Sequence, residues 1–294
     1  MYQIDRLKEY ISGTQIITIN DNLKIRLSND LLNKYNRGLY NNALNQMADY
    51  IRQINNLGIK YPGNAQPVFY IYVVPDENFR DLLKYPVMRV TNGGGKPVPS
   101  YDLDSYNTAY GVSNNMLENR NDYNISKTVN NIHEFAHLVH SMFFNRDRLL
   151  SEGFAEALPL YTMDYESSFD EHREMLENLT EEQILSAQEL IELAENNDFN
   201  VGAVAPNKSC SFDYSYISSY LFVRGCMEII ANKEGLNRIQ TTQKFLEIIK
   251  QSQCSHQWLI FDIAHSIGIQ QEELLNGKEM QLNVIRGLQN FRKK

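Results

Sequence analysis

Residues 128–144 read TVNNIHEFAHLVHSMFF, and they divide a strand-bearing first part of the chain from an almost wholly helical second part. Ile132, Phe135, Ala136, Val139, Met142 and Phe143 recur at the spacing of a single apolar helix stripe. With ~100° of rotation per residue, His133 and His137 share a neighbouring stripe, and Glu134 stands roughly one residue's turn away. Two imidazoles one turn apart can bind a single Zn²⁺, and a glutamate beside them can face a water on that ion. The bland alternative is an ordinary amphipathic helix with satisfied histidines.

A zinc ion that keeps one position for water needs a third protein ligand from another element. A histidine six residues past His137 would serve, but that position is Phe143, and His140 stands where the accompanying glycine is required. Ser151-Glu152-Gly153-Phe154-Ala155-Glu156 offers Glu152 instead. Fourteen residues separate it from His137, enough to finish one helix, turn and begin another. Gly153 would let the two helices approach closely, and Pro159 would kink or end the second. The lesser alternative for Glu152 is a first-turn acid that complements the helix dipole. Glu156, one turn on, could accept a hydrogen bond from a liganding imidazole and hold its orientation, or simply be solvated. His140 reads as a packing residue or a support for the ligands. His172, His256 and His265 have no ligand spacing.

Upstream, Thr14–Ile19 and Leu23–Leu27 are β-rich runs around Asn20-Asp21-Asn22, which predicts a hairpin. A polar helix is expected over 30–56, with Leu44, Met47 and Ile51 at helical spacing. Val68–Val74 (VFYIYVV) is the strongest strand, and Asp76 can cap a short helix through Leu83. The segment 91–100 holds Gly93-Gly94-Gly95 and two prolines, so it is a loop. It lacks the lysine-serine/threonine ending of a phosphate cradle. Thr108–Met116 could form another strand. Downstream, helices are expected at 151–164, 168–197, 214–232, 235–250, 255–267 and 271–291, with the acidic 181–195 stretch as a solvated face. The predicted class is α+β: a mixed α/β lobe with a small sheet over 1–125, then a mostly helical lobe over 126–294, with the metal site at their junction.

The 294 residues carry a formal charge of −8 and a pI near 5.3. That balance argues against nucleic acid, whose phosphates call for a basic face, and against an anionic membrane surface. The three cysteines, Cys210, Cys226 and Cys254, are widely spaced and read as reduced thiols. Met1–Tyr10 lacks the apolar core of a signal peptide, and no apolar run reaches the ~18 residues of a membrane span. The expectation is a cytoplasmic protein without a membrane anchor, unconventional export being left open.

HEFAH followed by SEGFAE resembles the paired ligand motifs of the gluzincin metallopeptidases, and within them the peptidase-MA-like proteins related to the large zinc aminopeptidases. In the aminopeptidases the glutamate ligand sits in a similar Asn-Glu-Gly-Phe-Ala segment, where this chain has Ser151. Residues 215–227 (SYISSYLFVRGCM) are similar to the family helix whose tyrosine supports the transition state. The resemblance assigns that role to Tyr216, with Tyr214 and Tyr220 as neighbours. Val68–Val74 leading into Pro75-Asp76-Glu77-Asn78-Phe79 is also similar to the family's lead-in. The resemblance spans roughly residues 65 to 250 and implies a thermolysin-like fold.

Zinc aminopeptidases of this group have a Gly-x-Met-Glu-Asn strand whose glutamate holds the substrate's amine. The corresponding stretch is Gly111-Val112-Ser113-Asn114-Asn115, which has no glutamate at that position, although Glu118 lies nearby. The resemblance therefore implies a zinc-dependent peptidase acting on a peptide or protein, favouring an endopeptidase over an aminopeptidase. Gly111, Val112, Ser113 and Asn114 are expected to pair with substrate as an added strand. Two rivals stand beside it: a zinc-binding regulatory protein that does not cleave, and a zinc hydrolase of a non-peptide amide or ester.

Overall fold

A computed structural model describes residues 15–27, 37–59, 68–74, 88–90, 108–113, 132, 135–136, 139, 148–163, 176, 178–195, 214–251 and 256–291. The expected helix after Asp76 and the loop at 91–100 lie outside the described residues. The chain forms two compact units, 1–145 and 146–294.

In the first unit, β1 (Gln15–Asn20) and β2 (Leu23–Leu27) form the expected hairpin. Its turn is closed by the Asn22 N–H donating to the Asn20 side-chain oxygen at 2.9 Å, a local bond that makes asparagine favoured in turns. Helix α1 (Arg37–Asn56) follows, then β3 (Phe69–Val74), β4 (Met88–Val90) and β5 (Thr108–Ser113). The sheet order is β1-β2-β3-β5-β4. The pairs β2–β3 and β3–β5 are parallel, and β4 runs antiparallel to β5. Strand β4 is not legible in the sequence: three residues are too few for an alternation to register, and it exists because β5 offers it an edge.

Leu23, Ile25 and Leu27 are fully buried at every second position of β2. The parallel register sets Leu23 opposite Phe69 and Ile25 opposite Ile71, so the two strands share one continuous apolar face. A one-residue slip would turn that whole set toward water. On α1, Leu44, Met47, Ile51 and Ile54 are buried along one stripe. The helix gives way at Gly58, whose φ of +72° is the left-handed conformation that glycine adopts without steric cost. Ile132, Phe135, Ala136 and Val139 are helical and buried, at the i, i+3, i+4, i+7 spacing of one helix face. Phe135 meets Phe69 edge to face, with ring centroids 5.5 Å apart, which anchors this stripe on the sheet.

The second unit contains α2 (Arg148–Met163), a 3-10 turn (Glu181–Gln183), α3 (Ala187–Glu195), α4 (Tyr214–Glu234) and α5 (Arg238–Gln251). Helices α6 (His256–Ile267), α7 (Gln271–Asn276) and α8 (Glu279–Phe291) complete it. Every residue from Ile217 to Val223 is buried. This stretch of α4 is therefore covered on all sides, as a segment central to a helical core must be.

Two expectations are corrected here, and one is narrowed. The single helix over 168–197 is interrupted, because Ser186 starts α3 afresh: its N–H donates to Glu189 Oε2 at 2.7 Å, and the Glu189 N–H donates back to Ser186 Oγ at 3.3 Å. That is a capping box of the Ser-x-x-Glu kind. The helix expected over 271–291 divides at Gly277 into α7 and α8. Pro159 lies inside α2 and does not end it. With the five-stranded sheet in one unit and helices in the other, the described architecture is α+β. No described helix is long and apolar enough to cross a membrane.

Gly153 sets the α2–α4 distance. A Cβ built there would fall 2.6 Å from the Ser219 carbonyl carbon and 2.7 Å from its Oγ. Gly153→Ala should therefore lower the unfolding free energy by about 2–4 kcal/mol in urea titration. Gly287→Ala, where a Cβ meets nothing within 4 Å, should instead raise it by about 0.5–1 kcal/mol through helix propensity.

Candidate metal centre

Of the zinc-site residues, Glu152 lies among the described ones, whereas His133, Glu134 and His137 lie outside them. Among the described residues no group of three or more potential metal ligands converges. Glu152 sits in α2, half-buried, and its Oε2 is shut off from solvent. Keeping an ionised carboxylate oxygen out of water is costly unless its charge is balanced.

The turn of α2 that carries Glu152 is fastened from the next residue. Gly153 N–H donates to Ser219 Oγ at 3.0 Å, inside the core. The close approach anticipated at Gly153 is thus made to α4. Phe154 follows and packs against Phe245 of α5, with centroids 5.5 Å apart. Residues 152–154 are held by backbone contact on one side and an aromatic pair on the other, so the Glu152 main chain has little freedom to shift.

Glu156 is half-buried one turn further along α2, and its charge bears on Tyr220 of α4. Tyr220 is fully buried. Its oxygen accepts a hydrogen bond from Arg224 Nη1 at 2.7 Å, and the Arg224 Nε donates to Glu228 Oε1 at 2.8 Å. The guanidinium carbon also stands 5.9 Å from the Tyr220 ring centre. Burial pushes the Tyr220 hydroxyl well up from its ordinary range, with Arg224 pulling the other way. Burial, and then the Glu228 charge, does the same to Tyr161 of α2. Both phenols stay protonated. Tyr220, sealed and committed to Arg224, is an internal strut. Tyr214 and Tyr216 stand in the first turn of α4.

Of the expected substrate strand, Gly111, Val112 and Ser113 are placed in β5; Asn114 lies outside the described residues. Residues 111–113 belong to β5, which pairs with β3 throughout and with β4 over 109–111. Gly111 has Tyr72 on one side and Met88 on the other. A strand has only two edges, so an extended peptide cannot add beside Gly111. Among the described residues, the strand at that margin of the sheet is β4.

The sequence does not by its motifs bring out the set Tyr161, Tyr220, Arg224 and Glu228. A signal was present: Tyr220, Arg224 and Glu228 recur every four residues along one helix, and polar groups so placed can meet. Cys226 is buried and free, in keeping with an unpaired thiol. His265 stacks on Phe261, in keeping with a histidine outside any ligand set. No protein-family model matches the chain, and no characterised protein is significantly similar to it.

Tyr220→Phe removes the oxygen that Arg224 binds and leaves the packing volume unchanged. It should cost about 1–2 kcal/mol in urea unfolding, since a half-buried cation loses one partner. An unchanged midpoint would show that the Tyr220–Arg224 bond adds nothing to the core.

Proposed function

We propose that this protein is a zinc-dependent peptidase, with His133, His137 and Glu152 as metal ligands and Glu134 as general base. The observation that carries the proposal is the HEFAH segment together with its inward stripe. Ile132, Phe135, Ala136 and Val139 are helical and buried, as a helix with a dedicated ligand face requires. Glu152 adds support through a carboxylate oxygen withdrawn from solvent on a turn pinned to the core. Two imidazoles and one carboxylate form a donor set that zinc accepts while keeping a coordination position for water. The resemblance to gluzincins and to the thermolysin-like fold rests on the same two motifs.

When bound, zinc supplies a Lewis acid and lowers the pKa of a bound water toward about 7. Glu134 takes the attacking water's proton and passes it to the leaving nitrogen. Tyr216 donates a hydrogen bond to the developing oxyanion, a contribution of about 3 kcal/mol. Glu156 holds a liganding imidazole in orientation. The substrate is a peptide or protein. Because Gly111–Asn115 lacks a glutamate to grip a free amine, internal cleavage is favoured over removal of N-terminal residues. An extended substrate would add as a strand along Val112, Ser113 and Asn114, next to Gly111 and beyond the 109–111 stretch that β4 pairs.

Purified protein should carry about one zinc per chain by elemental analysis, and a chelator should remove both the metal and the cleavage of a fluorogenic peptide library. Glu134→Gln should keep the zinc and lower kcat about a thousandfold or more. Glu152→Gln should lose zinc on dialysis. Tyr216→Phe should lower kcat about a hundredfold with little change in KM. Zinc-free wild-type protein, or equal turnover by wild type and Glu134→Gln, would refute the proposal.

A further inference from the structure

The second unit contains a pocket of about 350 Å³ between α2, α4, α5 and α8. Arg224, Glu228 and Asn232 of α4, Tyr161 of α2 and Thr241 of α5 form its polar part, and the exposed Arg238 of α5 joins the lining. Leu160, Leu236, Val284 and Leu288 supply apolar wall. The volume lies at the small end of the range for ligand sites, which run from about 300 Å³ upward. The lining carries two guanidiniums and one carboxylate, a formal excess of one positive charge.

That lining selects a ligand. The hydrogen bonds to Tyr220 and Glu228 use two of the five N–H groups that a guanidinium carries. Arg224 is thus oriented by its neighbours, and such an anchored donor loses little freedom on binding an anion. Glu228 opposes a doubly charged group such as phosphate, whereas a single carboxylate neutralises the excess charge. The leucine and valine walls favour an apolar body over a sugar or a bare ion. We infer that this pocket binds a small monocarboxylate with an apolar body, its carboxylate received by Arg224 and Arg238.

The test uses the full chain and isothermal titration with 4-phenylbutyrate, its neutral amide 4-phenylbutanamide, and inorganic phosphate. The carboxylate should bind at about millimolar Kd or tighter, and the amide at least about tenfold more weakly. Arg238→Gln, a change at an exposed position, should weaken 4-phenylbutyrate about tenfold, and Ala231→Phe should block the pocket. Equal binding of acid and amide, displacement by phosphate at equal concentration, or an Arg238→Gln affinity matching wild type would overturn the inference. So would no heat of binding up to about 10 mM. If Ala231→Phe does not fold, the Arg238→Gln comparison and the acid–amide pair still decide.

Discussion

Helices α2 and α4 meet at Gly153 with no space for even one added carbon, and the Gly153 amide donates across the gap to Ser219 Oγ. Much of the second unit follows from that contact. It draws the flanking residues Phe154, Ala155, Ala157 and Leu158 into the core, and it leaves Glu152 and Glu156 half-buried at the margin of the crossing. A larger residue at 153 would part the helices and withdraw apolar area from every layer of the crossing. Small residues recur along the same central helix: a Cβ on Gly225 would fall 3.0 Å from that of Met280 in α8. Close approach on both flanks explains how an α4 with serines at 218 and 219 can still be buried there.

Within this tightly packed core stands a row of polar groups that an apolar helix would exclude. Arg224 is a cation inside the protein, and it is tolerated because Tyr220 and Glu228 stand one turn to either side and supply the oxygens it needs. Removing a single partner from such a group costs more than the same bond is worth in water, since the remaining charge stays half-buried. The same row connects two regions of the unit. At one end Tyr220 senses the Glu156 charge. At the other, Arg224 and Glu228 line the pocket that α5 and α8 complete.

The sheet of the first unit imposes a different constraint. Parallel pairing of β2 with β3 and of β3 with β5 requires long connections between neighbours, and α1 lies within the first of them. With β3 filling one side of β5 and β4 the other, the backbone donors and acceptors around Gly111 are spent within the sheet. The helical stripe of residues 132–139 is bound to this unit by Phe135 on Phe69, a contact between residues sixty-six apart in the sequence.

Local physical chemistry was enough to place most elements. The Asn-Asp-Asn turn, the β-branched and aromatic run at 68–74, and the apolar stripe through Ile132 and Val139 each depend on residues within one or two turns of each other. The Ser186–Glu189 cap was equally local, and it was readable though overlooked. The chemistry assigned to His133, Glu134, His137 and Glu152 likewise comes from residue type and spacing alone. Tertiary structure decided what no local pattern encodes. It decided that Gly153 serves contact with α4, that β5 has a neighbour on each edge, and that Tyr161, Arg224 and Arg238 line one pocket. Those outcomes depend on which distant surfaces pack together, and packing is settled by the shapes of both partners, of which a sequence window contains only one.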